Sequence, residues 1–342
     1  MKRAFLSFSL SFFATLLMAQ MKGNGSLSLP FQLYTLEEFL QFRDTVNNGF
    51  PQACADLHTD IDLSSICYGD EDSNTFVQWM PIGEGNYGTK YQGRFNGNGH
   101  IIKNLYVDSA VENFRGLFGA TRKATILNVG IEDAYLHGGY YVGGLVGNGD
   151  STTIVNCYVQ GDIFGYFVSG IIGNARGCSL TNCYSFCDVQ GNYKSGIIGY
   201  NEASAIHNCF YEPNKSSIGV GNRNGSATSA TTEQFTDGTV CQKLNEYVHG
   251  IQGDSLVLWT QNAFPRLANP TNDCAPIQAQ PKHTCFVQSH HIFIISSNDE
   301  TINIYSSKGE TTIRKIGHGT NDLGYFPSGI YIIKGKKVIV ND

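Results

Sequence analysis

A repeat of about 26 residues in the middle of the chain restricts the possible folds more than any other feature of the sequence. Gly-apolar-apolar-Gly segments recur four times at nearly constant spacing. Their glycines are Gly116, Gly119, Gly144, Gly147, Gly170, Gly173, Gly196 and Gly199. An apolar-x-Asn pattern follows the same period, and its asparagines are Asn104, Asn128, Asn156, Asn182 and Asn208. Two patterns with one period indicate a repeat fold whose units stack on one another.

Each unit contains three short runs of β-forming residues, such as GGLVG, TIVNCYV and GDIFG, separated by Gly, Asn or Ser. None of these runs is long enough for an independent helix, and none would be a stable strand alone. The period therefore predicts an all-β chain with a right-handed parallel β-helix, three strands per coil, and coils about 4.8 Å apart. Glycine is expected to supply positive φ angles at the corners.

In such a fold, residues at the same position of successive repeats lie directly above one another. The five asparagines should therefore form a ladder of hydrogen-bonded side-chain amides. A column of thiols is expected beside it, formed by Cys157, Cys183 and Cys209. We interpret both columns as structural. The alternative for the thiols is a redox or metal site, but the sequence offers no neighbouring base or basic residue to activate them.

The central region resembles the GLUG-motif repeat family of bacterial secreted and surface proteins. The resemblance rests on the Gly-apolar-apolar-Gly segments and on the Asn-Cys-Tyr segments 156–158 and 182–184. Similar segments also lie at 53–63, 79–83, 95–105, 231–235, 243–245, 259 and 264–267, so the similarity covers about residues 30–270. The first unit lacks the Cys-Tyr pair, and Ile replaces Leu in the last two Gly segments, which conserves volume. The resemblance implies an exported or cell-surface protein.

The segment 1–19 predicts a secretory signal peptide, because Lys2 and Arg3 precede an apolar run that ends before the cleavage point Ala19-Gln20. No later stretch is long and apolar enough to span a membrane. An exported chain meets an oxidising compartment, where its ten cysteines can pair. Spacing does not fix the connectivity, and no zinc-site pattern is present. The candidate local disulfides join Cys54 to Cys67 and Cys274 to Cys285.

Helical patterns flank the repeats and predict caps over the open ends of the solenoid. The first covers 35–47, with Thr35 as N-cap and Glu38 at the third helical position, and the second covers 232–247. The predicted order is a signal peptide at 1–19, an N-terminal capping region at 20–100, repeats at 101–222, a C-terminal cap at 223–269, a linker at 270–285 and a last domain at 286–342.

Short alternating strands after residue 286 predict a small immunoglobulin-like β-sandwich. This domain is similar to the type A sorting domain of the type IX secretion system, through segments that include Gly329, Ile330, Tyr331, Lys337 and Val338. The resemblance implies that secretion machinery is a partner and that the protein reaches the outer surface of a Gram-negative bacterium. A plain immunoglobulin-like binding module is the alternative.

Charge and motifs restrict the chemistry. The formal net charge is −6 and no basic cluster is present, which argues against a nucleic-acid partner. The sequence contains no P-loop, nucleophile elbow or dinucleotide fingerprint, so no cofactor is predicted. The best catalytic candidates are Asp162 and Asp188, whose equal phase places their carboxylates on adjacent coils, about 5 Å apart. They keep open the alternative of a polysaccharide lyase or glycoside hydrolase.

Several aromatic side chains are expected to point outward from the coils, where they could stack on sugars or dock on a protein. They are Tyr140, Tyr141, Tyr158, Phe164, Tyr166, Tyr184, Tyr193 and Phe210. The favoured hypothesis is therefore a non-catalytic exported scaffold that binds an extracellular glycan or a host or surface protein.

Overall fold

The computed structural model describes residues 21–70, 75–84, 88–223, 225–251 and 256–268, followed by strand segments between residues 283 and 340. The chain divides into two compact units, with the boundary between Asn272 and Asp273. The predicted signal peptide and most of the predicted linker lie outside the described residues.

The first unit is a solenoid built from three parallel sheets. Sheet 1 has seven strands, which are Phe31–Leu33, Ala55–Leu57, Arg94–Asn96, Thr125–Leu127, Thr153–Val155, Ser179–Thr181 and Ala205–His207. Sheet 2 contains Ile61–Asp62, Ile101–Lys103, Tyr106–Asp108, Gly130–His137, Val142–Gly143, Tyr158–Ser169, Tyr184–Ser195, Phe210–Tyr211 and Thr228–Ser229. Sheet 3 contains Phe118–Arg122, Val146–Asp150, Ile172–Arg176 and Ile198–Glu202.

Equivalent residues of successive coils pair in register in all three sheets. In sheet 1, Ile126, Ile154 and Leu180 lie one above another and are fully buried. Burying a side chain of this size contributes roughly 1.5–3 kcal/mol, so the apolar column stabilises strands that are each too short to persist alone. The parallel β-solenoid with a spacing of about 26 residues, predicted from the period, is confirmed.

Helix α1, Leu36–Asn47, lies in the N-terminal part of the solenoid unit. The Glu38 N–H donates to the Thr35 hydroxyl at 3.2 Å, so the predicted N-cap is formed. The Phe39 ring stacks on Trp79 with 5.6 Å between ring centroids, and both side chains belong to the main core. The helix therefore adds apolar cover to the first coils.

The region predicted as one closing helix, 232–247, contains two helices. Helix α2 is Thr232–Thr236 and helix α3 is Thr239–Gly250. Gly238 lies between them with a φ of 94°, a left-handed conformation that glycine adopts readily and that interrupts a right-handed helix.

After α3 the chain turns back along the coils as a strap, residues 256–268, whose strands Trp259–Gln261 and Pro265–Leu267 pair antiparallel. Helices α2 and α3 and the strap share a hydrophobic cluster with side chains at the start of three sheet 2 strands. These residues are Tyr158, Tyr184, Phe210, Ala230, Phe235, Val240, Cys241, Leu244, Trp259 and Leu267. The closing segment thus covers the side of several coils, whereas a cap over the open end was expected.

Two minor elements complete the unit: a hairpin of Tyr68–Asp70 with Thr75–Val77, and a short 3₁₀ turn at Gly221–Arg223. In the described part of the chain, no helix has the length and apolar character needed to cross a membrane.

The second unit consists of two antiparallel sheets. One contains His283–Gln288, His291–Ser296 and Gly319–Tyr325, and the other contains Thr311–Ile316, Glu300–Ser306, Gly329–Ile333 and Lys336–Val340. Buried Ile292 and Leu323 of the first sheet share a core with Ile302, Ile304 and Ile333 of the second. The immunoglobulin-like topology of this domain stays a prediction.

The repeat glycines have a different role from the expected one. None of the eight adopts a positive φ angle. They are required because neighbouring atoms lie too close for a side chain. At Gly196 these atoms belong to the Tyr211 side chain, and at the second glycine of each segment the nearest atom is backbone: a Cβ on Gly147 would be 2.4 Å from the Phe114 carbonyl carbon, and one on Gly173 would be 2.5 Å from that of Tyr141. The expectation that glycine supplies corner φ angles therefore holds at Gly177, whose φ is 57°, and not at the eight repeat glycines.

Cys54 and Cys67 do not form the expected disulfide. Both are free and buried. The Cys67 thiol donates to the Leu63 and Asn104 carbonyls at 3.5 and 3.4 Å, whereas Cys54 Sγ accepts from the Arg94 N–H at 3.4 Å. The two sulfurs are thus held by different neighbours. The pairing of Cys285 with Cys274 stays a prediction, because Cys274 lies outside the described residues.

Candidate binding surface

The corner asparagines form a column of hydrogen-bonded amides. Asn156 Nδ2 donates to Asn128 Oδ1 at 2.8 Å, Asn182 Nδ2 to Asn156 Oδ1 at 2.8 Å, and Asn208 Nδ2 to Asn182 Oδ1 at 2.6 Å. All four have φ between 48° and 58°. At the corner between sheets 1 and 2, these residues and not the repeat glycines adopt the left-handed conformation.

Asn104 was expected in this column but lies outside it. Its Nδ2 donates to Asp62 Oδ1 at 2.8 Å. The preceding strand Ile101–Lys103 belongs to sheet 2, whereas the segments before the other asparagines belong to sheet 1. Asn96 takes the place at the N-terminal end of the column, where it accepts from Asn128 Nδ2 at 2.9 Å.

The three ladder cysteines are buried in the main core. Each thiol donates to the carbonyl two residues earlier, and these acceptors are Val155, Thr181 and His207. Burial raises the pKa of Cys183 and Cys209 well above the usual range, and it raises the pKa of Cys187, on sheet 2, to about 12. Because the thiolate is the reactive form of cysteine, this environment favours the structural interpretation.

Three of the eight aromatic residues expected on the surface are buried: Tyr158, Tyr184 and Phe210. The Tyr158 hydroxyl donates to Glu132 at 2.7 Å, and the Tyr184 hydroxyl donates to the Pro265 carbonyl at 2.5 Å. Burial raises the pKa of both tyrosines well above the usual range. These side chains pack under the helices and the strap and are not available to a ligand.

The other aromatic side chains at this corner of the solenoid form a continuous surface, which we call the aromatic patch. Tyr141, Phe167 and Tyr193 stack with ring-centroid distances of 5.4 and 4.8 Å and interplanar angles of 14° and 16°. Tyr140 is 49% exposed and Tyr193 is 53% exposed. The complete patch is Phe114, Tyr140, Tyr141, Tyr166, Phe167, Tyr193 and Tyr200. Contiguous exposed surface of this kind marks an interaction site more often than isolated apolar residues do.

Sequence reasoning missed three members of the patch, Phe114, Phe167 and Tyr200. Phe167 could have been found, because Tyr141, Phe167 and Tyr193 occupy the same position in successive repeats. Phe114 and Tyr200 do not occupy this repeat position, so only the folded structure shows that they belong to the patch.

A groove of about 670 Å³ lies beside the patch. Glycines make up part of its lining, and its larger side chains are His137, Tyr140, Phe164, Tyr166, Gln190 and Asn192. The described residues that line it include no Asp, Glu, Lys or Arg. His137 Nδ1 is 2.8 Å from Asp108 Oδ1, which fixes the orientation of the imidazole ring.

Asp162 and Asp188 are direct neighbours on adjacent strands of sheet 2. Lys215 Nζ is 2.5 Å from Asp188 Oδ2 and also lies 5.0 Å from the centroid of the Phe186 ring. On the next strand the position in register with Asp162 is Tyr135, so the carboxylate row is two residues long. Within the described residues, no group of three or more His, Cys, Asp or Glu side chains could hold a metal ion.

The sorting-motif residues lie on the last two strands, where Tyr331 is directly opposite Val338. The Tyr331 ring is buried against Phe326, with 5.0 Å between the centroids. The sorting role of Gly329, Ile330, Tyr331, Lys337 and Val338 stays a prediction.

One coil is similar to a known family. Residues 138–163, which contain Gly138 and Gly139 of the groove and the Asn-Cys-Tyr corner of one unit, match the family model of the GLUG motif. Halomucin from Haloquadratum walsbyi (strain DSM 16790 / HBSQ001) is 33% identical over 156 residues, which are 44% of this chain and 2% of halomucin. The chain thus spans a very small part of that relative, and both matches support a GLUG-repeat family.

Among solved structures, a Bacteroides ovatus protein described as a candidate immunoglobulin A1 protease superposes with a TM-score of 0.38 and 15% identity. The superposition covers 72% of this chain and 94% of that one. A similarity of this size assigns neither a fold nor an activity.

Proposed function

We propose that this protein is a non-catalytic exported or cell-surface scaffold that binds an extracellular glycan or protein through the aromatic patch. The exposed rings of Tyr140 and Tyr193 carry the proposal, because they belong to a surface that neither the helices nor the strap covers. Tyrosine combines large apolar area with a polar hydroxyl and few rotatable bonds, which suits it to recognition surfaces. The GLUG coil, the halomucin match and the predicted signal peptide support an extracellular location.

The proposal is tested by screening the full chain against a glycan array and a panel of extracellular and host-surface proteins. We expect at least one ligand to bind the native chain and to lose most of its signal with the double variant Tyr140→Ala/Tyr193→Ala. Tyr34→Ala is the matched control, because Tyr34 is 46% exposed and is not part of the patch. A native chain that captures no ligand, or a double variant that binds every ligand normally, contradicts the proposal.

The C-terminal unit is proposed to direct export and outer-membrane anchoring. The support is the similarity of its last strands to a type IX sorting domain. Deletion of residues 286–342 should abolish the cell-surface signal of an epitope-tagged chain in a host with that secretion system. Unchanged surface display of the deletion variant would contradict this role and would favour a plain binding module.

The alternative of a polysaccharide-degrading enzyme has weaker support. Asp188 is held in an ion pair with Lys215, so its carboxylate is already engaged by a side chain of the protein. On the other side of Asp162 the residue in register is Tyr135, so no third carboxylate extends the pair. The scaffold function therefore agrees better with this part of sheet 2.

A further inference from the structure

We propose that the groove binds uncharged pyranose units of an extracellular polysaccharide. This inference rests on the proposed function and narrows it to one site and one class of ligand. The groove combines aromatic rings with side-chain amides and is bordered by the exposed part of the aromatic patch.

Register pairing places the groove residues in defined rows. Asp108, His137, Phe164 and Gln190 are directly opposite one another on four successive strands of sheet 2. Because side chains two residues apart share a face of a strand, Asn192 lies on the same face as Gln190. An imidazole, a phenyl ring and two carboxamides therefore line one wall along the axis of the solenoid.

The same wall continues into aromatic rings, because Tyr166 lies two residues after Phe164 on one strand and shares its face. Tyr140 and Tyr166 are 4.7 Å apart between ring centroids, and Tyr166 is turned 79° from Phe167 and 65° from Tyr193. In the stacked column of Tyr141, Phe167 and Tyr193, each ring covers a face of the ring on the next coil. The Tyr166 ring is turned out of this column. Asn113 Oδ1 accepts from the Tyr140 N–H at 2.8 Å and holds the backbone of this wall.

These groups match the chemistry of a neutral sugar. A pyranose ring offers an apolar C–H face, which packs on an aromatic ring, and hydroxyls that both donate and accept. A carboxamide also does both, unlike a carboxylate or an ammonium group. Gln190 and Asn192 are exposed, so their amides can reach a ligand from the wall.

The lining residues argue against an anionic ligand, and the volume of the groove suits a small ligand. The described lining residues carry no Lys or Arg that could pair with a uronate or sulfate, and the Nδ1 of His137 is occupied by Asp108. A volume of about 670 Å³ is in the range of small-molecule sites. The coils are about 4.8 Å apart, which is close to the length of one sugar unit in a β-linked glycan. Successive coils can therefore contact successive sugar units.

The test measures binding of the full chain to neutral oligosaccharides, namely β-1,4-linked glucan, xylan, mannan and chitin hexamers, by titration calorimetry. We expect at least one to bind, with an affinity that rises from disaccharide to tetrasaccharide as successive coils are engaged. Loss of one ring or one amide should weaken binding about tenfold in Tyr166→Ala and about fivefold in Gln190→Ala. Oligogalacturonate and heparin fragments should not compete.

Matched variants separate the groove from the rest of the patch. Tyr200→Ala removes a patch ring that does not line the groove, and it should leave the affinity unchanged. Tyr166→Phe keeps the ring and should retain most of the binding, which guards against a folding defect in the alanine variant. Equal loss in Tyr200→Ala and Tyr166→Ala, or tighter binding of the anionic fragments, would overturn the assignment of the groove.

The outcomes also distinguish the two proposals. If no neutral glycan binds but a protein ligand is captured and lost with Tyr140→Ala/Tyr193→Ala, the groove inference fails and the scaffold function stands. If no ligand of any class depends on the patch, both fail.

Discussion

A corner asparagine meets two demands of this solenoid at once. The backbone must turn through a left-handed conformation, which Asn tolerates better than most L-residues. The side chain must satisfy its neighbours, and Asn156 does so with four hydrogen bonds: it donates to Asn128 and to the Val257 carbonyl and accepts from Asn182 and from Trp259 Nε1. Because both demands fall on one residue, no other side chain fits this position equally well.

We predict that Asn156→Ala destabilises the solenoid by roughly 3 kcal/mol, because buried partners in the column and the strap lose their hydrogen bonds. Asn104→Ala is the matched control. Asn104 has nearly the same φ, 57° against 58°, so both variants have similar backbone strain, but Asn104 stands outside the column. The control should cost about 1–2 kcal/mol. Urea unfolding followed by far-UV circular dichroism measures both, and equal losses would show that the column contributes nothing beyond its backbone conformation.

At this scale the sequence predicts the column well where the coils have constant length. Asn156, Asn182 and Asn208 are 26 residues apart and lie in one hydrogen-bonded row. The prediction fails at the first coil, because Asn96 lies 32 residues before Asn128. Additional residues in that coil shift the phase, so Asn104, although close to the expected spacing, follows a strand of sheet 2 and not of sheet 1.

Each coil depends on backbone approaching backbone at its glycines. The second glycine of a Gly-apolar-apolar-Gly segment faces the carbonyl group of an earlier coil, and rigid backbone cannot move aside as a flexible side chain could. The period indicates that glycine is required at these positions. It does not show whether the reason is a positive φ angle or neighbouring backbone that leaves no room for a Cβ. Both give the same sequence pattern, so only the fold identifies the cause.

We expect Gly173→Ala to destabilise the protein by about 1–3 kcal/mol, because the new Cβ would lie 2.5 Å from the Tyr141 carbonyl carbon and 2.6 Å from the Val142 nitrogen. Gly250→Ala is the same substitution at the end of α3, where nothing lies within 4 Å of the added Cβ, and it should be close to neutral. Thermal unfolding of the two variants and the native chain makes the comparison. A Gly173→Ala variant as stable as Gly250→Ala would mean that the coils can separate freely.

At the scale of the whole molecule, the strap contacts coils that are distant from it in sequence. Trp259 Nε1 contacts Asn156 across 103 residues, and Arg266 pairs with Glu132 across 134. Glu132 has a side chain only 5% exposed and also accepts from Tyr158. Alternation along sheet 2 correctly turns Tyr158 and Tyr184 out of the coils, but no local pattern shows that a segment much later in the chain will cover them. The exposed site was predicted only in part for this reason.

A stack of coils held only by nearest neighbours tends to unfold in parts, as repeat proteins do. The strap opposes this behaviour, because unfolding one coil beneath it also breaks contacts with others. We therefore predict that the native solenoid unit unfolds in one transition. Arg266→Ala leaves the buried Glu132 carboxylate without its main partner, so we expect it to lower the free energy of unfolding by about 2 kcal/mol. In this variant the strap should detach before the coils unfold. This value is below that for a fully buried pair because Arg266 is 38% exposed.

The two tryptophans of the chain make the effect measurable. In a Trp79→Phe background, fluorescence reports Trp259 on the strap, while far-UV circular dichroism reports the strands. The two urea midpoints should coincide in this background and should separate when Arg266→Ala is added, with the fluorescence transition coming first. Arg176→Ala removes a partner of Asp150 that is 56% exposed, and it should change neither midpoint appreciably. Coincident midpoints in the Arg266 variant would show that the ion pair is not needed to hold the strap on the coils. The apolar contacts of Trp259 and Leu267 would then account for the cooperative unfolding of strap and coils.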